Sequence, residues 1–204
     1  MKSLEAAARR PVDRRLARMA ATDPAASGSR AMRVPSVKVL IASVGHPNLK
    51  DLSFGQVMLE HLKRQNWPED VDLEDLSYGA ITVLHWFQDA PGKYQRVVFL
   101  SAAERGREPG TLATYAWRFL QLVEDKVQDC VAESVTGIIS LDNLLMVLQR
   151  FDALPPEVEV VEIEPVESEI GFECSPAIAA RFEEFSEIIR RKATAGLAAL
   201  EGRE

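Results

Sequence analysis

The chain has 204 residues, 47% hydrophobic and 27% charged, enough for one globular domain with a sizeable core. Its formal net charge of −7, with no Lys/Arg cluster in the part expected to fold, argues against a nucleic-acid partner. The two cysteines, Cys130 and Cys174, lie far apart with no CxxC, so neither a zinc site nor a disulfide framework is expected, and no apolar run reaches the roughly 18 residues of a membrane-inserted helix.

Residues 1–36 read as a basic N-terminal extension and linker. Residues 1–33 carry eight Lys/Arg against three Asp/Glu, net +5, whereas the remainder carries 16 against 28, net −12. Two readings stay open: a free tail, or an arm that lies on an acidic surface of this chain or of a partner. The start is basic but has no apolar core, so it is not a secretory signal, and a cytoplasmic location is expected.

From Val37 the pattern alternates. "VKVLIASVG" is an apolar run of the buried-strand type. "LSFGQVMLEHLKRQ" places Phe54, Val57, Met58 and Leu62 on one helical stripe. "VDLEDLSY" predicts a second strand, "AITVLHWFQDA" a helix with His85 packed in it, and "RVVFLSAA" a third, buried strand. "TLATYAWRFLQLVEDKVQDCVAE" predicts a long helix from Leu112 to Glu133, with Leu112, Tyr115, Phe119, Leu122 and Val123 on one side. Trp117 and Leu120 widen its apolar surface, either for the core or for a partner. "LDNLLMVLQRF" predicts another helix and "VEVVEIEP" a fourth strand. "SPAIAARFEEFSEIIRRKATAGLAAL" predicts a last helix capped by Ser175, with Pro176 at its first position. Strands alternating with helices predict an α/β domain over 37–204, a three-layer α/β/α arrangement around a mostly parallel twisted sheet.

In such a fold the chemistry lies beyond the carboxyl ends of the strands. Those ends carry Gly45, His46 and Asp51, then Ser77, then Ser101 and Glu104, then Pro165 leading into an acid-rich loop; Ser140 and Asp142 precede the next helix. No GxSxG, GxGxxG, Walker or HExxH motif occurs.

The order of these pieces, over roughly Val37 to Ala193, resembles the endopeptidases that mature the large subunit of nickel-iron hydrogenases. In that family the first strand leads into G-N-x-L-x-x-D-D/E-x-x-G; here Gly45, Asp51 and Gly55 match, with His46 in place of Asn. After the third strand the family reads D-A-x-x-x-G-x-x-P-G-T; "SAAERGREPGT" matches at Ala102, Gly106, Pro109, Gly110 and Thr111. A final strand, an acidic turn and a G-L-S/T-P helix start correspond to "VEIEPVESEIGFECSPAI".

The resemblance also implies where a metal would sit. In the family an acid of the first motif, the Asp after the third strand and a His before a later helix bind the substrate's nickel. These positions fall on Leu52, Ser101 and Ser140, and a further Asp at the end of the second strand falls on Ser77. A leucine cannot coordinate, and neutral hydroxyls bring no charge to a divalent ion. The expected reading is therefore a degenerate metal turn, with no resident cofactor and no catalytic residue; the alternative is nickel supplied by a substrate. A shifted site could use His46, Asp51, Ser77, Glu104 and Asp142, although Asp51 is equally well placed to cap the following helix beside Ser53.

Three functions remain open at this point. One is a non-catalytic hydrogenase maturation protease-like protein that binds a hydrogenase-type large subunit or a maturation factor as scaffold or chaperone. The others are an active endopeptidase with a rearranged site, trimming the C-terminal extension of such a subunit, and an unrelated protein-binding role on the same fold.

Overall fold

The structure, a computed structural model, describes residues 38–118 and 140–195. The expected N-terminal extension and the part of the expected long helix from 119 to 133 lie outside the described residues.

Strand β1 (Val39–Ser43) is buried along its whole length. Such a run needs helices on both sides. A short 3-10 turn (Lys50–Ser53) leads into α1 (Phe54–Lys63), followed by β2 (Val71–Asp75), α2 (Ala80–Gln88) and β3 (Arg96–Ala102). Beyond them come β4 (Leu112–Ala116), α3 (Leu141–Arg150), β5 (Glu157–Ile163), a single turn α4 (Pro176–Ala179) and α5 (Phe182–Thr194). The five strands pair in the order β2-β1-β3-β5-β4, all parallel except the edge strand β4. The three-layer α/β/α fold is as the alternating pattern predicts.

Strand periodicity sorts the core into two halves. Leu40, Ala42, Val97, Phe99, Val158 and Val160 meet α2 and α3 on one face. Val39, Ile41, Val98, Leu100, Val161 and Ile163 meet α1 and α5 on the other. Gly55 lets α1 reach its sheet: a Cβ there would lie 2.5 Å from the Leu100 carbonyl oxygen and 3.0 Å from that of Val44.

Three expectations are corrected. Leu112–Ala116 is a strand, not the start of a helix. Leu112 and Tyr115 fit the helical stripe expected to continue at Phe119, but Thr114 and Tyr115 suit a strand and β5 offers an open edge. The observed packing has the strand period, with Leu112 on the α5 side and Tyr115 and Trp117 on the α3 side. The last helix is broken at Ala180–Arg181, and Ser175 makes no side-chain cap; its hydroxyl bonds elsewhere. His85 is exposed rather than packed, because α2 turns Val83, Leu84 and Phe87 inward.

Candidate functional site

At the carboxyl ends of β1, β3 and β5 lies a cavity of about 240 Å³, lined by Gly45, His46, Leu52, Ser101–Arg105, Ser140, Leu141, Asp142 and Glu162. Each wall follows from local structure. Ser101 continues the alternation Val97–Phe99, and Glu162 continues Val158–Val160, so both stand on the sheet face covered by α2 and α3. The β1 turn delivers His46 and Leu52, joined by a bond from the His46 N–H to the Leu52 carbonyl at 3.2 Å. Ser140 precedes α3 and caps it, its Oγ accepting the Asn143 N–H at 3.4 Å.

Leu52, Ser101 and Ser140 thus converge on one cavity, together with His46, Glu104 and Asp142. Asp51 and Ser77 are not brought there. The Asp51 carboxylate is fully buried and accepts the N–H groups of Val166 at 2.9 Å, Glu167 at 3.0 Å and Ser175 at 2.7 Å, and the Ser175 hydroxyl at 2.8 Å. It neither caps α1 nor faces the cavity; it fastens the loop after β5 to the turn after β1. Ser77 stands after the edge strand β2, on the far side of β1 from the cavity, where its N–H donates to Asp75 at 3.0 Å.

What fills the carboxylate side of the cavity is a guanidinium. Arg105 donates to both oxygens of Asp142, at 2.6 Å and 2.9 Å, and to both oxygens of Glu162, at 2.9 Å and 3.2 Å. Arg107 adds a bond to Glu162 at 2.9 Å, and the Tyr115 hydroxyl reaches it at 3.4 Å. Glu162 is fully buried, so its charge requires such partners. Asp142 first and Glu162 next push the Arg105 pKa above its ordinary value. Burial, with the Glu162 charge adding to it, pushes the Tyr115 hydroxyl up to about 12. Burial also works against the Glu164 carboxylate. The N–H groups of Arg105, Gly106 and Arg107 outweigh it and hold that group below the usual carboxylate range.

Motif reasoning passed over Arg105 and Glu162. Their signal was present: a charged residue inside a central strand demands a partner, and "ERGRE" supplies two arginines in the neighbouring loop.

With Asp142 and Glu162 engaged by Arg105, the donor set as it stands does not suit a divalent ion. Among the described residues no group of three or more His, Cys, Asp or Glu could hold one. Burial, with the Asp51 charge second, pushes the Cys174 thiol up to about 12, which disfavours its thiolate. Among the described residues no helix is long and apolar enough to cross a membrane.

The sequence matches no protein-family model, and no curated protein matches it. Solved structures do match. A hydrogenase 2 maturation peptidase from Thaumarchaeota archaeon SCGC_AB-539-E09 aligns at TM-score 0.54 and 23% identity, over 78% of this chain and 98% of its own. The hydrogenase maturating endopeptidase HybD from E. coli aligns at 0.57 and 18%, over 75% of this chain and 90% of its own. The nickel-iron hydrogenase maturation protease HybD from Thermococcus kodakarensis aligns at 0.52 and 18%, over 77% and 99%. The chain therefore has the fold of the hydrogenase maturation endopeptidases.

Proposed function

We propose that this chain is a hydrogenase maturation protease-like protein that binds a hydrogenase-type large subunit or a maturation factor, in the cytoplasm, and does not cut it. One observation carries the reading. Leu52, Ser101 and Ser140, the positions where the resemblance implies metal ligands, line one cavity, and two of its carboxylates, Asp142 and Glu162, are tied to Arg105. Cleavage by a Lewis acid needs ligands that bring charge and leave a coordination position open; these residues bring neither. What the strand ends keep is shape: the Gly45 turn, the loop from Arg107 to Thr111 and the loop from Ile170 to Pro176. The last of these exposes Ile170 and Phe172, at 83% and 79%, which suits contact with another protein.

The test is affinity capture from the native host, with the mass of the captured partner's C-terminus measured in the presence and absence of this chain. A bound, untrimmed hydrogenase-type subunit or maturation factor is expected. Trimming that requires this chain and is lost on changing His46, Glu104 or Asp142 would establish the active endopeptidase instead. Asp51 is unsuitable for that comparison, because its removal is expected to disturb the fold through its bonds to Val166, Glu167 and Ser175.

A further inference from the structure

We infer that the guanidinium of Arg105 is the resident cation of the strand-end cavity and closes it to divalent metal ions. This deepens the non-cleaving reading above and rests on the same cavity; it is read out by metal binding, whereas that reading is read out by partner capture and trimming.

Two carboxylates from different elements meet there, Asp142 from the first turn of α3 and Glu162 from the end of β5. Brought together in a partly desolvated pocket without a positive charge, they would repel each other and one would take up a proton. A divalent cation is one remedy. The chain uses another. Arg105 bridges the two groups, and the four carboxylate oxygens are all occupied: those of Asp142 by Nη1 and Nη2 of Arg105, Oε1 of Glu162 by Nε of Arg105 and by Arg107, and Oε2 by Nη2 of Arg105 and by Tyr115. A metal ion would have to displace several charge-assisted bonds at once; Leu52, Ser101 and Ser140 offer nothing to repay them, and His46 and Glu104, which also line the cavity, complete no group of three ligands among the described residues.

The arginine is also built in. Its own N–H donates to both oxygens of Glu164 at 3.0 Å, and the Gly106 N–H to one of them at 3.0 Å. Gly106 has φ +75°, the left-handed conformation that bends the loop back after Arg105. The Glu164 carboxylate is buried beside the cavity and holds the backbone from which the guanidinium reaches in. Unlike a bound ion, this cation cannot be chelated, and a guanidinium keeps its charge throughout the accessible pH range. The Asp142–Glu162 pair is neutralised from within its own chain, by Arg105 and Arg107.

The consequence is testable, because the metal affinity suppressed by Arg105 should emerge when the arginine is removed. The full chain, freed of any tag, is titrated with Zn²⁺ and with Ni²⁺ by calorimetry, and its thermal unfolding is followed with and without each ion. The wild type is expected to show no saturable site and no metal-dependent change in Tm. Arg105→Ala is expected to melt lower, to regain stability with Zn²⁺ or Ni²⁺, and to bind one ion at least about tenfold more tightly than the wild type. That gain should vanish in the double variant with Asp142→Asn. Arg105→Lys retains a positive charge and is expected to stay indifferent to metal. Should Arg105→Ala fail to fold, Arg105→Gln carries the same expectation, since it removes the charge while keeping hydrogen-bonding groups. The inference is overturned by a saturable Zn²⁺ or Ni²⁺ site in the wild type that Asp142→Asn abolishes. It is equally overturned by uncharged Arg105 variants that bind metal no better than the wild type.

Discussion

Asp51 and Ser175, 124 positions apart, are joined twice: one carboxylate oxygen accepts the Ser175 N–H at 2.7 Å and the other its hydroxyl at 2.8 Å. With the Val166 and Glu167 amides on the same carboxylate, the whole loop after β5 is fastened to the turn after β1. Asp51→Ala should leave three backbone donors without their acceptor. Each such loss costs about 1–3 kcal/mol when water cannot replace it. A destabilisation of about 3 kcal/mol is expected in urea unfolding, with faster amide exchange at Val166, Glu167 and Ser175. Unchanged stability would show that the carboxylate is dispensable to the fold.

The Gly55 position gives a second expectation. A methyl group there would press on the carbonyl oxygens of Leu100 and Val44, at 2.5 Å and 3.0 Å, neither of which is a flexible side-chain end. Gly55→Ala should therefore cost about 1–3 kcal/mol by overpacking, although Ala is the better helix former. The melting temperature of the variant checks this, and a rise would show that α1 has room to move off the sheet.

Much of the fold was legible because β1 and β3 are continuous apolar runs and α1 approaches the sheet at a glycine. The convergence of Leu52, Ser101 and Ser140 on one cavity was legible only through the resemblance to the hydrogenase maturation endopeptidases, which implied those positions. The rest depends on long-range partners. Leu112–Ala116 has an apolar spacing that fits a helix, and only the open edge of β5 makes it a strand. Asp51 looked like a helix cap because its true partners come more than a hundred residues later. Arg105 sits at a variable place inside a motif, and nothing local reveals that Asp142 and Glu162 will enclose it.

The Glu164 carboxylate sets a pH dependence. Its ordinary value is 4.5, and in the folded chain it is held lower: burial opposes the charge, and the N–H donors of Arg105, Gly106 and Arg107 overcome that opposition. A depressed folded value means that the contribution to stability is present above pH 4.5 and is lost as pH falls through the folded value. Acid unfolding curves of the wild type should accordingly show stability declining below that point, and Glu164→Gln should flatten the decline while lowering stability at pH 7. An identical acid profile in the variant would assign the decline to other carboxylates, Asp72 among them, whose value is also lowered.

The exposed pair Ile170 and Phe172 provides the most direct check on recognition. Gly171 between them is locked to the turn after β1: its N–H donates to the Asn48 carbonyl at 2.9 Å, and its carbonyl accepts the Lys50 N–H at 3.1 Å. A Cβ on Gly171 would lie 2.8 Å from the Lys50 side chain, which itself pairs with Glu167 and, at 3.4 Å, with Glu169. Two large apolar side chains are thus presented on a backbone that is already ordered, so a partner would not have to bear the entropy of fixing it. Removing them should leave the fold alone, because neither belongs to the buried clusters. The double variant Ile170→Ser with Phe172→Ser is expected to keep its unfolding free energy within about 0.5 kcal/mol. It should also bind the partner identified by affinity capture at least about tenfold more weakly, as the loss of an apolar anchor does. Binding is measured with purified components, and the acidic residues Glu169 and Glu173 are left in place so that long-range charge is unchanged. An affinity equal to that of the wild type would place the contact elsewhere on the strand-end surface, whereas a loss of stability would show that the pair packs in the fold and is not free for a partner.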